Sequence, residues 1–109
     1  MKKIRVAIPT NGHRGLNDTV SGVFSRANTF TIINMEDGNS ILEEILVNEA
    51  AELSQGAGPM AIKLLKDKKI DIVISGALGP GASTLLDTVN IKAITVPTEV
   101  KVSEAIKQI

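Results

Sequence analysis

Hydrophobic positions recur with a period of two in the first half of this chain and with helical spacing in most of the second half. Ile4 to Pro9 alternates and ends in Pro9-Thr10-Asn11-Gly12, the pattern of a strand feeding a turn, with Val6 and Ile8 on one face. Phe30 to Met35 and Ile41 to Val47 are two further extended stretches. The segment Glu36-Asp37-Gly38-Asn39-Ser40 joins them, and Asp-Gly between such runs predicts a hairpin and an antiparallel pair. Residues 11–25 show little periodicity but contain Gly12, Gly15, Gly22, Asn17, Asp18 and the sole histidine, His13. They read as a long loop, either functional or simply mobile surface.

The second half begins at Gln55-Gly56-Ala57-Gly58-Pro59. There Pro59 suits the first turn of a helix, Ala61, Leu64 and Leu65 follow at helical spacing, and Lys66, Lys68 and Lys69 suit its negative end. Ile70, Ile72, Val73 and Ile74 form a β-branched run typical of a strand covered on both faces. It breaks into Ser75-Gly76-Ala77-Leu78-Gly79-Pro80-Gly81. Ala82, Leu85, Leu86 and Val89 then lie on one helical stripe that Asn90 ends. Ile91 to Val96 predicts a fifth strand, and Thr98 is expected to cap a last helix carrying Val102, Ala105, Ile106 and Ile109. This order predicts an α/β protein with a five-stranded mixed sheet and helices on both faces, in three layers, the strands at Ile4, Ile70 and Ile91 being parallel. Residues 1–109 are expected to form a single domain.

Composition narrows the function. Twelve basic residues balance twelve acidic ones, so no overall field draws in a polyanion, and with no Trp or Tyr there is no stacking platform for bases. Nucleic acid is not an expected partner. The absence of cysteine removes disulfides, thiolate metal ligands and cysteine nucleophiles together. After Met1-Lys2-Lys3 the apolar run stops at Pro9, too short for a signal peptide or a membrane span, which points to a cytoplasmic protein with no membrane partner.

The predicted topology brings three segments to the carboxyl edge of the sheet, where open α/β sheets bind ligands. One is Gly56, Ala57 and Gly58 at the start of the first helix. The second is Ser75, Gly76, Ala77, Leu78 and Gly79 before the second, and the third is the loop with His13. Two helix N-termini facing one crevice favour an anion, and Arg26 is a further candidate donor. The competing reading is that the glycines serve tight packing only. Neither the P-loop nor the dinucleotide spacing Gly-x-Gly-x-x-Gly is present, and no serine lies in a nucleophile-elbow motif. His13 is either a solvated loop histidine or a metal ligand, and no carboxylate pair at this edge suits acid-base chemistry.

Three segments in order resemble the dinitrogenase iron-molybdenum cofactor biosynthesis family, the small domains related to nitrogenase cofactor carriers. They are the strand Ile4 to Pro9, the loop Val20-Ser21-Gly22-Val23-Phe24-Ser25-Arg26-Ala27-Asn28-Thr29-Phe30, and Gly56-Ala57-Gly58 with the later turn Ser75 to Ala82. The resemblance implies a ribonuclease H-like fold with sheet order 3-2-1-4-5 and strand two antiparallel. It also implies a non-enzymatic binding or carrier protein for an iron-sulfur or molybdenum-containing cluster or its precursor, with cofactor-assembly proteins as partners. Nuclease activity is not carried over, because the first strand lacks the carboxylates that two-metal chemistry needs. Val23 stands where many relatives have a histidine and Ser25 replaces a glycine, so direct metal ligation falls to His13 and the rest of the grip to backbone amides and Arg26. The alternatives are a metal-free module for a small anion or metabolite, or a protein-interaction domain.

Overall fold

The computed structural model describes residues 3–109; Met1 and Lys2, which begin the lead into the first strand, lie outside the described residues. Five strands, β1 (Lys3–Thr10), β2 (Thr29–Glu36), β3 (Asn39–Val47), β4 (Ile72–Ser75) and β5 (Lys92–Thr95), form one sheet in the order β3-β2-β1-β4-β5. β1, β4 and β5 are parallel, while β2 runs antiparallel to both β1 and β3. This is the α/β architecture and the 3-2-1-4-5 order expected. The hairpin turn has Asp37 and Gly38 both at positive φ, 51° and 85°, as a two-residue turn that matches strand twist requires.

Strand alternation divides the apolar residues between two cores. Ala7, Phe30, Ile32 and Val73 face helices α1 (Ala57–Asp67) and α2 (Pro80–Thr88), packing with Ala61, Ile62, Leu65 and Leu86. Their neighbours in the strands, Val6, Ile8, Ile33, Ile72 and Ile74, face helix α3 (Val102–Ala105) and pack with Val102, Ala105 and Ile106. Helices thus cover both faces. Fully burying each large aliphatic side chain contributes about 1.5–3 kcal/mol, so register is strongly specified on both sides.

Some boundaries differ from the pattern-based expectation. β4 begins at Ile72 because the buried Ile70 still belongs to the exit of α1: Lys69 adopts φ 59° and the Ile70 N–H returns to the Leu65 carbonyl at 3.1 Å. Thr98 does not cap the last helix. Its cap position is Lys101, and the Val102 N–H is taken by the Asp18 carbonyl at 2.8 Å, so a partner far away in sequence replaces the side-chain cap. No helix of the described residues is long and apolar enough to cross a membrane.

Candidate functional site

The carboxyl edge is built from the loop after β1, the start of α1 and the turn after β4. Residues 11–28 are fastened at several points. The Ser21 N–H bonds the Pro9 carbonyl at 2.8 Å, Val20 and Val100 pair through a 2.9 Å bond, and Val20 is fully buried. Beneath the loop Thr10, Thr29 and Thr31 form a buried hydroxyl cluster, with Oγ1 separations of 2.6 and 2.9 Å from Thr10, and the Thr29 hydroxyl donates to the Gly12 carbonyl. The sequence pattern puts Thr10 in the turn after the first strand, Thr29 in the loop before the second and only Thr31 within a strand. The loop is therefore packed structure and not free surface.

Asp18 is the hub of its first half. It is fully buried and accepts from the Arg14 N–H at 3.0 Å, the Thr19 N–H at 2.7 Å and the Arg14 guanidinium at 3.4 Å. Burial by itself raises a carboxyl pKa. Here the backbone N–H donors of Arg14 and Thr19, the Arg14 charge and the Gly12 backbone outweigh it, and the pKa falls below its ordinary 3.8. The sequence pattern places Asp18 in a long loop and gives it no special part there. Its burial is a tertiary fact: the Val102 N–H donates to the Asp18 carbonyl at 2.8 Å and the Asp18 N–H donates to the Gly15 carbonyl at 3.0 Å, closing the turn against α3.

The loop runs from one face of the sheet to the other. Leu16 packs in the core under α3 and Gly15 lies against Leu42, whereas Phe24 belongs to the core under α1 and packs against Phe30 with ring centroids 5.5 Å apart and the rings tilted by 55°. His13 lies on the first part and is exposed; Ser21 and Gly22 cross the edge itself, against Gly76. Val23, 53% exposed, projects beside them. Among the described residues no group of three or more His, Cys, Asp or Glu could hold a metal ion.

Arg26 is exposed and its Nη1 donates to the Ala51 and Leu53 carbonyls at 3.1 and 2.7 Å. It thus ties the second half of the loop to the segment that leads into α1. Asn48 reinforces the same junction: its side-chain amide donates to the Ser25 and Ala27 carbonyls, both at 2.9 Å, and its oxygen accepts from the Ala50 N–H at 3.1 Å. This anchor left no periodic signal in the sequence. An Asn before Glu-Ala-Ala is the only local hint, as a cap for the 3-10 turn Glu49–Glu52.

Gly56, in the left-handed region at φ 76°, turns the chain into α1 with Ala57 and Gly58 at its first two positions. Gly79 caps α2, with Pro80 at the first helical position and Gly81 next. α1 and α2 pack against each other, so both sets of unpaired first-turn N–H groups open onto the same edge. A Cβ at Gly58, Gly79 or Gly81 would meet nothing within 4 Å, which leaves open space before both helices. Gly76 differs. A Cβ there would lie 2.6 Å from Thr98 Cγ2 and 3.2 Å from the Ser21 carbonyl, so this glycine serves close packing between β4, the loop and the segment after β5. Ser75 is fully buried at the end of β4, and its hydroxyl has no hydrogen-bond partner among the described residues. Leu78 is half-buried against the α1–α2 core and Ala77 is exposed.

The structure therefore gathers Gly56, Ala57, Gly58, Ser75, Gly76, Ala77, Leu78 and Gly79 at one edge and uses Arg26 to brace it, while His13 lies exposed on the first part of the loop. Two cavities lie elsewhere. One of about 420 Å³ is lined by Ser83, Thr84, Asp87, Ile91, Lys92 and Ala93 beside the free edge of β5. The other, of about 220 Å³, lies under Val96, Val100 and Glu104. Neither includes a residue of the candidate edge, which is an open surface.

Fold and edge together define a small α/β domain of ribonuclease H-like order with two glycine-flanked helix N-termini at one end of the sheet. The chain belongs to the dinitrogenase iron-molybdenum cofactor family, whose profile it matches over residues 2–109. Among solved structures it is similar to the apo form of the orange protein from Desulfovibrio gigas, with 27% sequence identity and a TM-score of 0.82, covering 95% of this chain and 84% of that one. It is also similar to a putative NifB protein from Thermotoga, assigned to the DUF35 family, with 33% identity and a TM-score of 0.75 over 95% of this chain and 84% of that one. A putative dinitrogenase from Methanocaldococcus jannaschii shares the fold at 14% identity and a TM-score of 0.66, over 99% of this chain and 92% of that one. No curated protein sequence matches the chain.

Proposed function

We propose that this protein is a non-enzymatic carrier for a metal-containing anion, an iron-sulfur or molybdenum-containing cluster or its precursor, held at the carboxyl edge of the sheet. Family membership supports the class of cargo. The observation that carries the reading is the pair of adjacent helix N-termini opening onto one unobstructed edge, where N–H donors and the positive ends of two helix dipoles favour an anion. Gly56, Ala57, Gly58 and the turn Ser75 to Gly79 supply this grip, and Arg26 keeps the approach to α1 in place. His13 is the one imidazole available as a metal ligand, on the loop that borders the edge. The donor set holds the cargo mainly by hydrogen bonds to its outer atoms, as suits a carrier that must release it. Cofactor-assembly proteins in the cytoplasm are the partners this role implies.

The test is anaerobic incubation with iron, sulfide and molybdate, followed by desalting, metal analysis and visible absorption. A chromophore that travels with the protein, and is lost in Gly58→Asp, is expected. A parallel loss in His13→Ala assigns the imidazole as a ligand, and full loading of that variant removes it from the site. Failure of the wild-type protein to retain iron or molybdenum refutes the carrier role.

A further inference from the structure

Ser75 carries a polar group that the packing leaves unanswered. Its hydroxyl is buried, in a residue with no exposed surface, and has no hydrogen-bond partner among the described residues. Leaving a hydroxyl in that state opposes folding, and an alanine at the same place would not. Strand alternation sets the Ser75 side chain on the same face as Val73, which packs into the core under α1 and α2. Ser75 is the next residue on that face toward the carboxyl end of β4, the end of the sheet at which both helices begin. The unpaired first-turn N–H groups there are those of Ala57 and Gly58 in α1 and of Gly81 and Ala82 in α2, and the glycines among them have open space before them.

We propose that the Ser75 hydroxyl is a binding group in a seat for a tetrahedral oxoanion, the class that includes molybdate, tungstate, sulfate and phosphate, between the N-termini of α1 and α2. The inference rests on the carrier reading of the same edge and specifies its cargo as a mononuclear precursor. The chemistry of the donors selects this class. The backbone N–H groups and the hydroxyl present hydrogens, and the only described hydrogen bonds of the Arg26 guanidinium go to the Ala51 and Leu53 carbonyls. Neutral donors suit an anion that presents acceptors on every side, as a fully ionised dianion does. Phosphate keeps a proton near neutral pH, for which the Ser75 hydroxyl would have to turn from donor to acceptor, so molybdate and sulfate are expected to bind more tightly than phosphate.

The experiment is a titration of amide chemical shifts with sodium molybdate, sulfate and phosphate in turn, at constant ionic strength, on the wild-type protein, Ser75→Ala and Gly58→Asp. Shifts confined to residues 57–58 and 75–82 are expected in the wild type. Ser75→Ala is expected to weaken binding by about tenfold or more, as for loss of a hydrogen bond to a charged group. The same variant is expected to melt at a higher temperature, because it removes an unsatisfied buried hydroxyl. A serine with a merely structural role would lower the melting temperature and leave binding unchanged. If molybdate binds most tightly the seat serves a metal precursor, and if phosphate does the seat stands but its assignment to a metal precursor is overturned. The seat itself is overturned if none of the three moves these amides at millimolar concentration, or if Ser75→Ala binds as well as the wild type. A protein that retains iron and molybdenum but ignores all three oxoanions refutes the seat alone. One that binds molybdate but never retains metal through desalting refutes the carrier reading alone.

Discussion

Gly76 gives the sharpest test of how the edge is assembled. A methyl group added there would sit 2.6 Å from Thr98 Cγ2, 3.2 Å from the Ser21 carbonyl oxygen and 3.6 Å from Gly22 Cα. Carbon atoms in contact lie about 3.5–4.0 Å apart, so Gly76→Ala must displace the Thr98 methyl by roughly 1 Å, by rotating that side chain or by parting β4 from the segment after β5. Its φ is not positive, so backbone strain adds nothing and the effect is steric. Overpacking of this kind costs about 1–3 kcal/mol, offset by about 0.4–1 kcal/mol from the stiffer unfolded chain, for a net loss of about 1–2 kcal/mol. Thr98 is exposed, and Thr98→Ser, which deletes the clashing methyl, should by itself change stability by less than about 0.5 kcal/mol. Urea denaturation of the two single variants and the double variant forms a cycle. The double variant is expected to recover at least about 0.5 kcal/mol, with the remainder assigned to the Ser21 carbonyl, which no side-chain change relieves. Strict additivity, or a Gly76→Ala cost below about 0.5 kcal/mol, would refute the claim that this glycine exists for close approach.

Two further outcomes follow from the loop. Asp18 has a folded pKa below its ordinary 3.8, so it contributes stability that is fully present above the unfolded value and is lost as pH falls through the lower folded value. Urea midpoints measured from neutral pH down to about pH 2 should fall below roughly pH 4, and Asp18→Asn should both flatten that fall and destabilise the neutral protein by about 1–3 kcal/mol. An unchanged acid branch in the variant would count against it. Asn48→Ala removes two donated bonds and one accepted bond at the entry to α1, and should cost about 1–3 kcal/mol in denaturant while increasing amide exchange in residues 25–28 and 49–53. Exchange rates unchanged in both segments would show that Arg26 alone holds the junction.

The sequence alone determined the elements and their layering, because alternation and helical spacing are local properties of the chain. Alternation puts Val6 and Ile8 on one face before any fold is known, and the core under α3 takes both; the run Ile72-Val73-Ile74 reads as covered on both faces, and the two cores divide it. Asp37-Gly38 likewise fixed the hairpin, since few residue pairs accept positive φ together. The glycine-flanked starts of α1 and α2 were legible for the same reason. What only the tertiary structure decided was the partner of each polar group and the surroundings of each glycine. Thr98 packs on Gly76 and caps nothing, Arg26 bonds two carbonyls 25 and 27 residues away, and Asp18 is buried under α3. Gly58 and Gly76 look alike in sequence, yet one faces open space and the other is wedged between three segments. Such distinctions depend on neighbours distant in the chain, and no local period encodes them. Ser75 follows the same rule: alternation gives its face, but only the packed structure leaves its hydroxyl without a partner among the described residues.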